Sequence, residues 1–463
     1  MFGAGARMNA IVKDIIRTKL PHLSQRTFAT TSGSTIHIPQ INADRLNTTL
    51  HETCEKYGAA HRYGNKFDQT GMARLTLNED DVAVRKWLEK EMEKVDCTLK
   101  IDSMGNMFFI RSGTNTNINK PVAMGSHLDT QPMGGRYDGI LGIMAAVEAM
   151  RTMKDHNIKT KGPIALINWT NEEGARFSKS MCGSSVWSGQ LNEKEAHSLI
   201  DVHDKKTTMG QELKNSGYLG KMKSHYSVMP LAAHFELHIE QGPILERAKA
   251  KVGIVQGGQA YKWIQVTITG RECHTGSTPF EDRSDAMQSA AKIIVMSKEY
   301  ARKQGGLAST GLMSVFPSSV NTCPGKVTFT LDVRHKNDAS LEAILFEIER
   351  EAERICKEES ERGTKIDWNI SFASTAVKFN EQCHSAIRQA AERYVEPQEI
   401  LPIISGAGHD SCAASIRCPT AMIFVPSKNG LSHHPEEYTS PKDCAIGAQV
   451  LMDSVLTYDQ QHV

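Results

Sequence analysis

Residues 121–150 read PVAMGSHLDTQPMGGRYDGILGIMAAVEAM, and the period of the apolar residues changes within that run. "PVAMGS" is a short continuous apolar stretch of the kind that forms a buried strand, whereas Ile140, Ile143, Met144, Val147 and Met150 recur at helical spacing. The order is strand, polar loop, helix. Helical patterns also occur at "INADRLNTTLHETCEKYG", "DDVAVRKWLEKEMEKV" and "EQCHSAIRQAAERYV". Strand patterns occur at "MFFIRS", "GPIALINW", "AAHFELHIEQGP" and "AMIFVP". Such alternation predicts an α/β fold, a mainly parallel mixed sheet with helices on both faces. Ligands of these sheets bind beyond the carboxyl ends of the strands, where the polar loop of residues 127–138 lies.

Residues 259–376 follow a rhythm of their own. "YKWIQVTITG" reads as a strand, "RSDAMQSAAKIIVMSKEYA" as a helix, "LASTGLMSV" and "KVTFTLDVRH" as strands, "SLEAILFEIEREAERICKE" as a helix and "KIDWNISFAS" as a strand. That βαββαβ order predicts a ferredoxin-like domain inserted into the first one, which then comprises residues 42–258 and 377–463. Residues 1–36 differ again. They hold Arg7, Lys13, Arg17, Lys19 and Arg26 against one acid, Asp14, and "QRTFATTSGST" is rich in hydroxyl groups. This is the profile of a mitochondrial transit peptide, and without it the chain is expected in the cytoplasm.

A formal net charge of +1 removes any whole-chain electrostatic case for nucleic acid or an anionic membrane, so the expected partner is a small molecule. No run approaches the roughly 18 apolar residues of a membrane span. The ten cysteines show no CxxC pair, which fits free thiols in a reducing compartment.

Ligand-type residues collect at the strand ends: His127, Asp129, Asp138, Glu172, Glu173, His238 and His433. In "GSHLDT", Asp129 stands two residues after His127, so its carboxylate can accept the second ring N–H or brace the loop. Asp138 in "GGRYDGILG" is either a helix N-cap or a carboxylate that can bridge two cations. In "NWTNEEGARF" two glutamates follow a buried strand. One can bind a metal while its neighbour handles the proton of a water whose pKa the metal lowers to about 7. Oxygen and nitrogen donors without thiolates suit zinc, manganese or cobalt.

"GSHLDTQPMGGRYDGILG", "NWTNEEGARF", "GSSVWSG", "HIEQGP", "SGAGHDS" and "GLSHHPEEY", in that order, resemble the amidohydrolases acting on N-carbamoyl amino acids. The likeness is to fungal-type β-alanine synthases (β-ureidopropionases) and bacterial N-carbamoyl-L-amino-acid hydrolases of the zinc aminoacylase and carboxypeptidase superfamily. It implies a zinc-exopeptidase-like fold with two divalent ions per subunit, zinc foremost. By this resemblance His127 and His238 bind one ion, Glu173 and His433 the other, and Asp138 bridges them. His433 is preferred to His434 because the family pattern is Ser-His-x-Pro. Glu172 is implied as general acid/base, with Asp129 supporting His127. In the inserted domain Arg334 matches a carboxylate clamp, and His274 and Asn321 match residues that polarise the scissile carbonyl or hold substrate. His274 is expected to reach a site across a homodimer interface. Gln241 and His409 match other positions lining the site.

The chain departs from the family around His274, where Cys273, Thr275 and Ser277 replace commoner residues. Cys273 is not read as a nucleophile partnered by His274, because adjacent strand residues point to opposite faces. The implied reaction is hydrolysis of an N-carbamoyl amino acid, such as N-carbamoyl-β-alanine, to amino acid, carbon dioxide and ammonia. Allantoate amidohydrolase and aminoacylase-like peptidase activities use the same motifs. A non-catalytic scaffold relative would be expected to lack a ligand or the proton-handling glutamate, and here the full set stands.

Overall fold

The computed structural model describes residues 38–463, so the expected presequence lies outside the described residues. The chain forms two compact units, one ending at Gln256 and resuming over Phe379–Val463, the other formed by Gly257–Lys378.

In the larger unit the strands run in the order Val252–Gly258, Thr420–Val425, Ala233–Ile239, Val122–His127, Ile164–Trp169, Met107–Arg111 and Thr98–Ile101. The four from Thr420–Val425 to Ile164–Trp169 are mutually parallel, and antiparallel strands flank them. All residues of these four strands are buried, which explains their nearly unbroken apolar sequences: a parallel strand is covered on both faces. On one face Phe235 packs edge-on against Tyr458 of the helix Pro441–His462. On the other, Phe108, Ala165, Ile167 and Trp169 pack with Trp187 and Ala414 of two shorter helices.

The smaller unit is an antiparallel sheet with Lys326–His335 and Ala260–Thr269 at its centre and Lys365–Ser374 at one edge. Lys326–His335 alternates strictly. Val327, Phe329, Leu331 and Val333 enter a core shared with Ile293, Ile344 and Ile348 of the helices Ala286–Lys303 and Asp338–Glu358, while Asp332 and Arg334 lie on the less buried face. This is the ferredoxin-like order, with one difference. "LASTGLMSV" forms two short strands, Leu307–Ser309 and Met313–Phe316, both paired with Lys326–His335. Between Ser309↔Asp332 and Met313↔Phe329 the first chain carries one residue more than its partner, and Thr330 fills the gap by exchanging hydrogen bonds with the Leu312 backbone.

The chain leaves and re-enters the larger unit at neighbouring points: the N–H of Phe379 donates to the carbonyl of Gln256 at 2.9 Å.

Candidate active site

The four parallel strands deliver the site. His127 ends one of them and Glu172 and Glu173 follow the next. His238 is the penultimate residue of the third, and His433 lies in the loop after the fourth. All therefore sit at the carboxyl edge of the sheet. Asn171, Gln241 and His433 have φ near +55°, a region that non-glycine residues enter at a cost and that clusters at functional sites.

The chemistry turns on imidazole tautomers. Nδ1 of His127 faces the carbonyl of Asp129 at 2.8 Å, and Nδ1 of His238 faces the carbonyl of Ile239 at 2.9 Å. A carbonyl only accepts, so each Nδ1 carries a proton and each Nε2 is left as the lone-pair atom of the neutral ring. Both Nε2 atoms point at Oδ1 of Asp138, at 3.6 Å from His127 and 3.1 Å from His238. The other oxygen of Asp138, Oδ2, faces Nε2 of His433 at 3.3 Å, and that nitrogen is 3.4 Å from Oε2 of Glu173. Asp138 thus offers its two oxygens to two separate donor sets. It does not cap the helix Ile140–Asp155, whose N-cap is Gly139. A Cβ on Gly139 would lie 2.2 Å from the His127 ring, and its φ is +68°, so only glycine fits there.

Divalent cations fit these residues. Two ligands at 2.0–2.2 Å from a tetrahedral ion lie about 3.3 Å apart, the spacing seen around both oxygens of Asp138. Nε2 of His127 is buried without a hydrogen-bond partner. Nε2 of His238 has a single lone pair, which the Gly139 N–H faces at 3.2 Å and which a cation beside Asp138 would take instead.

Electrostatics give the same picture. Burial, then the charges of Asp410, Glu173, Asp138 and Asp129, hold the Glu172 carboxyl well above the usual carboxylate range. Burial and Asp138 push Glu173 up to about 8. Burial alone would raise Asp138, but hydrogen bonds with His238 and His433 hold it well below its ordinary value. Burial takes His127 down to about 4. It would lower His238 too, yet Asp138 and Glu236 raise that ring to about 9. Asp138 and Glu236 draw a proton onto His238, and a dication bound in its place would supply the positive charge that this buried carboxylate cluster attracts.

Other residues named from the sequence fall as follows. Glu172 Oε2 lies 3.6 Å from His127 Nε2. Gln241 donates from Nε2 to Asp138 Oδ2 at 2.7 Å. The His409 ring meets the His238 ring edge-on at 4.5 Å. Asp129 acts differently from its sequence reading on one point. Its backbone carbonyl, not its carboxylate, takes the His127 N–H, and the carboxylate accepts the N–H groups of Glu172 and Glu173 at 3.3 and 3.2 Å. It therefore fixes the backbone of the glutamate pair.

In the smaller unit, His274 lies on a short ladder that pairs Cys273 with Cys323 and His274 with Thr322, and Asn321 adjoins it, its carbonyl accepting the Thr275 N–H at 3.0 Å. His274 Nδ1 accepts the N–H groups of Gly276 and Ser277 at 3.1 and 3.2 Å, so its proton sits on Nε2 as an outward donor. Arg334 lies over the Tyr261 ring at 4.9 Å and forks onto Asp332, with Nη2 to Oδ2 at 2.7 Å.

Three buried carboxylates escaped the sequence reading. Glu437 accepts the N–H groups of Tyr137 and Asp138. Asp410 accepts the Ser184 hydroxyl at 2.5 Å and is the foremost negative charge acting on Glu172. Glu236 accepts the hydroxyls of Ser126 and Ser411. Glu437 and Asp410 stand in "GLSHHPEEY" and "SGAGHDS", but Tyr137, Asp138 and Ser184 lie more than 200 residues away from them, so only the motifs themselves could have marked these contacts.

The family model described as "Peptidase family M20/M25/M40" matches residues 123–457. A Rhizobium meliloti protein named N-carbamoyl-L-amino-acid amidohydrolase is 40% identical over 90% of this chain and 96% of its own length. A rice protein named ureidoglycolate hydrolase is 30% identical over 82% of this chain and 79% of its own. The crystal structure of a hydantoinase/carbamoylase family amidase from Burkholderia multivorans superposes with a TM-score of 0.84 at 37% identity, covering 92% of this chain and 99% of that one. With an amidohydrolase at this identity and a family match over most of its length, the chain belongs to peptidase family M20/M25/M40.

Proposed function

We propose that the protein is a two-metal amidohydrolase that cleaves N-carbamoyl amino acids, among them N-carbamoyl-β-alanine, to the amino acid, carbon dioxide and ammonia. The observation that carries this reading is Asp138, whose Oδ1 faces the Nε2 atoms of His127 and His238 and whose Oδ2 faces Nε2 of His433 next to Glu173, while Glu172 stands beside His127. His127 and His238 would hold one ion and Glu173 and His433 the other, with Asp138 offering an oxygen to each. Zinc leads, with manganese and cobalt as alternatives. Bound there, the cations supply Lewis-acid polarisation of the ureido carbonyl and hydroxide at neutral pH.

The chain's own residues do the rest. Glu172 takes a proton at Oε2 from the attacking water and returns it to the departing nitrogen. Asp129 keeps Glu172 in place through its backbone. His274 presents Nε2–H to the carbonyl oxygen as charge develops, and the Arg334 guanidinium releases Asp332 to fork onto the substrate carboxylate. Asn321, Gln241 and His409 line the substrate path. The smaller unit serves as lid and dimer contact, and residues 1–36 address the protein to mitochondria.

The rice relative supports a second reading within the same chemistry, a ureido acid such as ureidoglycolate or allantoate as substrate. Ammonia release by the purified protein from N-carbamoyl-β-alanine, N-carbamoyl-α-amino acids, allantoate and ureidoglycolate, loaded with zinc or manganese, decides between them. Turnover of allantoate or ureidoglycolate alone would sink the first reading.

A further inference from the structure

We propose that Cys273 and Cys323 form a dithiol site that exchanges with small disulfides, and that closing it into a disulfide displaces the adjacent His274. The two residues are register partners on the ladder that also pairs His274 with Thr322. Directly opposed residues of an antiparallel pair have Cβ atoms about 4.5–5.5 Å apart, and a disulfide needs about 3.5–4.5 Å with Cα atoms within about 4.4–6.8 Å. A modest movement closes the bond. Burial, and after it the neighbouring Cys273 thiol, raise the pKa of the Cys323 thiol.

Accessibility distinguishes this pair. Cys273 is half-buried and Cys323 buried, so one sulfur meets a reagent and the other waits behind it. Cys383 and Cys418 also lie close enough to influence each other, but both are buried.

The exchange balances without help from the metal site. The Cys273 thiolate attacks one sulfur of a low-molecular-weight disulfide such as glutathione disulfide, breaking its S–S bond and expelling one thiolate. Cys323 then loses its proton and attacks Sγ of Cys273, expelling the second. Two electrons pass to the small disulfide, and the two protons end on the released thiols.

His274 follows Cys273 directly, and its ring is held by the turn at Gly276 and Ser277. Drawing the sulfurs to about 2.05 Å pulls on that turn. A donor misplaced by about 1 Å can cost on the order of 100-fold in rate. This half of the proposal rests on the role given to His274 above.

The test treats the metal-loaded protein with glutathione disulfide, then maps peptides without reduction. The expected result is a Cys273–Cys323 cross-link, a tenfold or greater fall in kcat/KM on the substrate found above, and recovery with dithiothreitol. Cys273→Ser and Cys323→Ser should keep full activity and ignore the oxidant. Hydrogen exchange at the Gly276 and Ser277 amides should change on oxidation, which reads the displacement without any substrate. No cross-link, cross-linking to other cysteines, or a cross-link that leaves those amides unchanged would overturn the proposal. Absence of ureido turnover in the untreated protein would defeat the functional reading alone.

Discussion

The backbone N–H of Asp138 donates to Oε1 of Glu437 at 3.0 Å, although 299 residues separate the two. The same oxygen accepts from Tyr137 N–H, and Oε2 takes the hydroxyl of Ser432 at 3.1 Å. One buried carboxylate thus ties the loop of Asp138 to the loop of His433. Gly135 makes room for it, since a Cβ there would lie 2.3 Å from the Glu437 Cβ. Glu437→Ala is expected to weaken zinc binding by about 10–100-fold in calorimetric titration. Glu437→Gln, whose carbonyl oxygen can still accept both N–H groups, should retain most of the affinity. Equal binding by the alanine variant would remove Glu437 from the site.

Glu172 touches His127 but belongs to neither donor set around Asp138. Glu172→Gln should therefore leave metal content per chain unchanged by elemental analysis while lowering kcat by roughly 10²–10⁴-fold. Parallel loss of metal and turnover would make Glu172 a ligand instead.

Arg334 combines a fork onto Asp332 with stacking on Tyr261, and lysine reproduces neither. Arg334→Lys is expected to raise KM about tenfold or more with a smaller change in kcat. A variant with unaltered KM would show that the substrate carboxylate binds elsewhere.

His51 is buried between Phe67 and Tyr137, and burial, with the nearby Arg136 charge, brings its pKa down to about 4. Unfolded, the imidazole takes a proton below about 6.5, while the folded chain resists until about 4. The unfolded state therefore binds more protons in that window, and stability falls as pH falls through it, by about 1.4 kcal/mol per pH unit from this group. Urea denaturation at pH 7 and pH 5 should show wild type losing about 2 kcal/mol more than His51→Gln. An identical loss in both would mean that His51 is not the titrating group.

The sequence exposed the sheet because strands covered on both sides, such as "VAMGSH" and "TAMIFV", have nearly continuous apolar runs that stand out from any surface pattern. The donor residues stood out through glycine-flanked loops at the ends of those runs. Tautomers and bracing did not, because they depend on which atom of Asp129 reaches His127 and on a contact from Glu437 across most of the chain. The split of "LASTGLMSV" was equally hidden, since it comes from the opposing residue Thr330 and not from the segment itself.

The single hydrogen bond joining Phe379 to Gln256 bears on how such a chain can be assembled. A polypeptide spliced directly between those two positions needs only a tight reversal to preserve both flanking segments. Residues 257–378 thus leave and rejoin the larger unit at one place, so an insertion there separates two segments that already lie side by side.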